Sequence, residues 1–498
     1  LASLKKLAGQ TAWYGISSIA ARFINYLLTP YLTGILTTAA YGEQSIVYAA
    51  IPFLNVVFTY GMETAYFRFS NKGVDEKKVF SAGSISLISS TVLLTGMLLL
   101  LKGPIATLLS IKEHPEFITW SAYVIALDTL TTLPFAKLRN DGRPIKYASI
   151  RVMNILINIG CVYFFYSILP GLSGQNSFFA KLYDPNLGAG YYIVANIIAS
   201  AITFLLLLPE FLSIKIEWNS GLWKDMIIYS LPLMIAGFAG MINETFDRIM
   251  LGWWAPVATT KEKIEQVGIY SACYKLSLLI TMFVQAFRMG AEPFFFQQAR
   301  GEDAPKTYAR VMKFFVITIC CMFLLVAMYI DIWKEFIRNK HMWVGLGVVP
   351  ILLIANMCLG VYYNLAIWYK LSHKTNAGAT ITIIGAVLTL IVNYFFIPYY
   401  SYMACAWATL ICYASMMLVS YFWGQKVYPV PYATGRMVWN FGIMLLIYVL
   451  YRVISMWRAD VLTHYISASF LMLIYVFYII KAEGRELKGI PLLKRFIK

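Results

Sequence analysis

The chain of 498 residues is 60% hydrophobic and 13% charged, with a mean hydropathy of +0.66. That balance excludes a soluble globular protein and reads as an integral membrane protein. A net charge of +17 would suit nucleic acid, but Lys and Arg lie in short loops between apolar runs, so no nucleic-acid partner is expected.

The chain opens on Leu1 rather than Met, which reads as a trimmed N-terminus. Lys5 and Lys6 precede an apolar run through Tyr31, too long for a signal-peptide core, so it reads as a retained first span. At roughly 20 apolar residues per crossing, the pattern predicts an all-α polytopic protein of about fourteen transmembrane helices. Among them are the first at 10–35, the second at 44–69, the fourth at 117–138, the seventh at 226–255, the eighth at 267–292 and the ninth at 311–333. With the N-terminus inside, the loops at 71–78, 137–146 and 297–313 carry much of the basic charge, as the positive-inside rule requires, and both termini are expected to be cytoplasmic. The basic outer loop Lys334–His341 is an exception and points to a displaced ninth span. All seven cysteines fall in apolar runs and the four histidines are scattered, so no disulfide framework, metal or cofactor is expected. The tail Lys481–Lys498, KAEGRELKGIPLLKRFIK, fits either anionic lipids of the inner leaflet or a solvated topology signal.

Ionisable groups at membrane depth carry the functional signal, because a bilayer tolerates them only against a protein interior or a wet cavity. Arg22 stands about 12 residues into the first span, roughly 18 Å deep at the helical rise, with Asn25 one turn further. The seventh span, LPLMIAGFAGMINETFDRIMLG, contains Asn243, Glu244, Asp247 and Arg248; helical spacing allows pairs of Glu244 with Arg248 and of Asn243 with Asp247. Lys275 follows in the eighth span. A cavity lined by Arg22, Arg248 and Lys275 suits an anion, since the guanidinium fork donates two parallel hydrogen bonds to phosphate. The alternative is that Arg248 only neutralises an acid of its own helix. Asp128, alone in the fourth span, reads as a proton or cation relay or as an acceptor for Asn154 or Asn158. Glu63, Arg68, Arg288 and Glu292, near cytoplasmic helix ends, read as gate contacts or interfacial anchors. No phosphate-binding glycine loop, HExxH or Ser-His-Asp set is present, so an enzyme is not expected.

An internal repeat aligns Tyr41-Gly42 and Tyr60-Gly61-Met62-Glu63 with Val267-Gly268 and Met289-Gly290-Ala291-Glu292. It predicts two pseudo-symmetric six-helix lobes, 1–215 and 216–425, and a region 426–498 with two added helices and the basic tail.

The opening KKLAGQTAWYGISSIAARFINYLLTPY, the AYGE step with YGMETAYFRF after it, LPFAKLRNDGRP, and ETFDRIMLG followed by VGIYSACYKLSLL resemble the polysaccharide flippases. These are the Wzx-type transporters of the multidrug/oligosaccharidyl-lipid/polysaccharide (MOP) exporter superfamily. The resemblance implies a twelve-helix core with two added helices, alternating access, and a polyprenyl-pyrophosphate oligosaccharide moved from the inner to the outer leaflet of the bacterial inner membrane for O-antigen, capsule or exopolysaccharide assembly. It also implies glycosyltransferases and a glycan polymerase as partners, and places Asp247 and Arg248 at the family's Asp-Arg pair. Asp128, Glu244 and Asp247 would compensate charge or couple transport to H+, Na+ or the membrane potential. Two rival readings remain: a cation-coupled drug exporter, which would want an acid where the first span has Arg22, and a membrane glycan polymerase or transferase, which would want a sizeable loop.

Overall fold

Helices make up all the regular structure among the described residues, which in this computed structural model are 23–487 apart from 72–73, 175–176, 214–216, 300, 302 and 458–459. Arg22 and the end of the basic tail lie outside them. After a helix at 23–35 (α1) come α2 (Thr38–Thr59), α3 (Met62–Ser70), α4 (Glu76–Leu100), α5 (Glu116–Asn140), α6 (Pro144–Tyr163), α7 (Gly190–Leu212) and α8 (Ser220–Trp254). The chain continues through α9 (Thr260–Gln298), α10 (Ala304–Ala327), α11 (Val348–Leu365), α12 (Ile367–Leu371), α13 (Thr375–Tyr400), α14 (Tyr402–Val427), α15 (Thr434–Trp457) and α16 (Val461–Leu487).

Among the described residues, twelve helices are long and apolar enough to cross a membrane. The first predicted span falls partly outside the described residues. The fourth, α5, is 25 residues long, but Glu116, Asp128, Lys137, Arg139 and four threonines lower its hydropathy, and it is not among the twelve. The ninth is Ala304–Ala327, seven residues earlier at its start than its predicted 311. The segment after it folds as short turns in which Asp331 accepts hydrogen bonds from Lys334 (2.5 Å) and His464 (3.1 Å). Burial alone would raise the Asp331 carboxyl; these two bonds outweigh it and hold the group below its ordinary range.

Local sequence explains where helices start and bend. Thr37 caps α2 by accepting from the Ala40 amide (3.2 Å), and Asn219 caps α8 by accepting from Leu222 (3.0 Å). The second predicted span is broken between α2 and α3 at Tyr60-Gly61, both left-handed, with φ of 34° and 76°. A β-carbon at Gly61 would also lie 3.1 Å from the Ser230 carbonyl of α8, so glycine meets two demands there.

The repeated glycines meet at one crossing. A β-carbon at Gly42 on α2 would lie 2.0 Å from the Ile264 carbonyl oxygen of α9, and one at Gly268 would lie 2.2 Å from the Thr38 carbonyl oxygen. The two close approaches are reciprocal, because Thr38 stands four residues before Gly42 and Ile264 four before Gly268. Two backbones this near tolerate only hydrogen at the contact, as in small-residue packing between membrane helices.

Two compact units contain these helices. The first runs to Ala272 and includes Arg338–Val344 and Thr382–Thr409. Its core gathers Met62, Tyr66, Phe80, Leu133 and Met226. The second comprises Cys273–Ile337, Gly345–Ile381 and the chain from Leu410. In it Tyr362, Trp368, Ile381, Cys412 and Met416 form a core. Within the second unit Lys313 of α10 donates to Glu483 of α16 at 2.7 Å, each side chain 4% exposed. Losing Lys313 leaves the buried Glu483 carboxylate with only the exposed Arg436 guanidinium at 3.9 Å. Lys313→Met is therefore expected to lower stability by about 3–5 kcal/mol, while Lys313→Met with Glu483→Met restores most of it. Thermal unfolding of the purified protein measures both; equal losses in the single and double variants would contradict the pairing.

Candidate functional site

In α8 the apolar run places Asn243 and Asp247 on a buried stripe and leaves Glu244 exposed. Asp247, 4% exposed, is fully engaged. Its Oδ2 accepts from the Tyr270 hydroxyl of α9 (2.6 Å). Its Oδ1 accepts from the Arg248 backbone amide (2.8 Å) and from Arg248 Nη1 (3.0 Å). The same Nη1 donates to the Glu244 carbonyl (3.0 Å), so Arg248 turns to Asp247 and to the backbone of Glu244. The guanidinium lies 5.6 Å from the Tyr270 ring centroid. Asn243 donates to the Thr382 carbonyl of α13 (3.0 Å) and accepts from Thr389 (3.5 Å), so it joins α8 to α13 rather than pairing with Asp247. Tyr270 was not legible as a site residue; its place two residues after the Val267-Gly268 step, on the helix that the glycine crossing locks in position, is the signal.

Asn25 is exposed on α1, and Lys275 is partly buried on α9 in the second unit. Asp128 takes its hydrogen bond from Ser200 of α7 (2.8 Å), not from Asn154 or Asn158. Asn154 instead donates to Thr203 of α7 (2.9 Å). Asp128, Asn154, Ser200 and Thr203 all line a cavity of about 420 Å³ in the first unit, together with residues of α2, α3, α5 and α6.

The four gate candidates fall into two matching arrangements, one in each unit. Glu63 of α3 accepts from Arg139 at the end of α5 (2.6 Å), and Glu292 of α9 is ion-paired with Lys370 of α12. Arg139 stands three residues before Gly142 (φ 65°) and Lys370 three before His373 (φ 56°). In both, the amide two residues past the base's cap bonds back five residues, Arg143 N to Leu138 O (2.9 Å) and Lys374 N to Tyr369 O (2.8 Å). Burial and the neighbouring Glu76 carboxylate raise Asp141 beside the first cap, against the pull of Lys137 and Arg143. Arg68 lies over the Tyr229 ring (4.0 Å). Arg288 lies over Tyr363 (4.7 Å) and reaches Glu292 at 3.5 Å. Arg139 and Lys370 escaped the sequence reading because their acids lie 76 and 78 residues away.

Residues 7–298 match the polysaccharide biosynthesis protein family. No curated protein matches the chain significantly. Among solved structures, the inward closed conformation of the lipid II flippase MurJ has a TM-score of 0.67 at 13% identity, over 94% of this chain and 99% of that one. An inward-facing multidrug resistance MATE family transporter of the MOP superfamily gives 0.59 at 14%, over 82% and 94%. A MOP superfamily transporter from Pyrococcus furiosus with a binding pocket of reverse polarity gives 0.56 at 15%, over 84% and 95%. The family match covers more than half the sequence and the helices follow a shared architecture: the chain is a multi-pass membrane protein that belongs to the polysaccharide biosynthesis protein family and has the fold of the MOP superfamily.

Proposed function

We propose that this protein is a flippase that carries a polyprenyl-pyrophosphate-linked oligosaccharide from the inner to the outer leaflet of a bacterial inner membrane by alternating access. Arg248 carries the reading. In a member of a polysaccharide biosynthesis family, it is a guanidinium on an apolar helix, held in one orientation by a buried carboxylate. A planar fork fixed in this way suits a pyrophosphate. Arg22 and Lys275 are further candidate cations. Asp128, Glu244 and Asp247 are candidates for charge compensation or for coupling to H+, Na+ or the membrane potential. The delivered glycan would enter O-antigen, capsule or exopolysaccharide assembly, with glycosyltransferases upstream and a polymerase downstream. The basic tail would rest on anionic lipids, with both termini cytoplasmic.

The MATE likeness supports a second reading, a cation-coupled drug exporter. Proteoliposomes separate the two. A polyprenyl-pyrophosphate oligosaccharide is loaded in one leaflet, and its arrival in the other is followed with and without an ion gradient. Transfer of the lipid is the expected result. Gradient-driven efflux of a cationic dye without lipid transfer would replace the flippase with the exporter.

A further inference from the structure

The duplicated acid-base pairs give a register between the two units, and that register exposes an asymmetry. Matching Arg139 to Lys370 sets Asp128 against Leu359, Thr131 against Tyr362 and Thr132 against Tyr363. Matching the Gly-x-Glu steps sets Thr59 against Arg288. The second unit fills the space beside its pair. Tyr363 lies under the Arg288 guanidinium, Tyr362 is buried in the core, and the pocket lined by Arg288, Glu292, Tyr363 and Lys370 is about 20 Å³. The first unit puts small hydroxyl side chains at these positions and keeps a cavity of about 420 Å³, within the usual size range of small-molecule sites.

The walls of that cavity define the chemistry it accepts. Asp128 uses Oδ1 on Ser200 and presents Oδ2. Asn196 spends both amide hydrogens on Tyr48 and the Tyr192 carbonyl and Asn154 one on Thr203, which leaves their carbonyl oxygens as acceptors. Arg151, stacked at 4.1 Å on the Phe135 ring, contributes donors to the same cavity. Its charged lining, Glu63, Asp128, Arg139 and Arg151, balances to zero. A net-neutral wall of several acceptors, two guanidiniums and many hydroxyls suits an uncharged ligand with many hydroxyl groups, each donating and accepting.

We infer that the cavity bounded by α2, α3, α5, α6 and α7 is a glycan subsite that holds one sugar ring of the transported head group. The choice of a sugar rests on the flippase reading; the site itself rests on the asymmetry between the units.

The test copies the second unit into the first. Full-length protein in nanodiscs is presented with methyl glycosides of glucose, galactose, mannose, N-acetylglucosamine and N-acetylgalactosamine, and saturation-transfer NMR reads binding. At least one glycoside is expected to give a signal that falls about tenfold in Thr132→Tyr, which fills the cavity, and in Asn154→Leu, which removes an acceptor. Both variants are checked for an unchanged elution profile. No signal from any glycoside, or a signal that survives both substitutions, would overturn the inference. Lipid transfer by wild-type protein without glycoside binding removes the subsite and keeps the flippase. Glycoside binding without lipid transfer does the reverse.

Discussion

Replacing Arg248 with glutamine and Asp247 with asparagine together is expected to give a folded, membrane-inserted protein that transfers lipid-linked glycan roughly 10- to 100-fold more slowly, the worth of one or two charge-assisted hydrogen bonds. The double substitution is the informative one because of how Asp247 is held. Arg248→Ala alone would leave a buried carboxylate with only the Tyr270 hydroxyl and a backbone amide, a loss of about 3–5 kcal/mol that confounds folding with function. Removing both charges keeps the stripe neutral and keeps the Tyr270 bond, since an asparagine oxygen can accept it. Transfer in proteoliposomes and monodispersity in detergent are the two readouts. Full transfer by a monodisperse double variant would reduce Arg248 to a counter-ion for Asp247 and withdraw it from the substrate site.

Gly42→Val and Gly268→Val are each expected to abolish folded protein. Neither side can yield at the crossing, since the atom met at about 2 Å is a backbone carbonyl on a packed helix. Overpacking of a core typically costs 1–3 kcal/mol, and about 3 kcal/mol or more is expected where main chain must move. Gly96 and Gly240 provide the control. A β-carbon at either meets nothing within 4 Å, so Gly96→Ala and Gly240→Ala are expected to be neutral or slightly stabilising. The yield of monodisperse protein and its thermal midpoint measure all four; normal yield of Gly42→Val would refute the crossing.

The all-helical membrane character could be read from apolar run length alone, because a bilayer imposes one length scale on every crossing. The polar stripe of α8 could be read for the same reason, since charge at that depth stands out against a uniform background. Pairing was not legible. Asp247 binds a tyrosine 23 residues away, Asp128 a serine 72 away and Glu63 an arginine 76 away, and helical spacing reports only neighbours within a turn or two. The cavity beside Asp128 was hidden for a different reason. It is defined by side chains that are small where the other unit has tyrosines, a contrast that needs the register of the two pairs before it can be seen. The α5 helix shows the cost of counting by hydropathy. The threonines and the aspartate that open the cavity also lower its hydropathy.

The glycine crossing also bears on how the chain is made. Gly42 and Gly268, like Thr38 and Ile264, are separated by 226 residues, so α2 cannot meet its partner until α9 has been synthesised. At about 5–20 residues per second that wait is roughly 10–45 s. During it α2 presents to lipid or to the insertion machinery a groove with no side chain to fill it. The helix α2 therefore reaches its final packing only after α9 has left the ribosome.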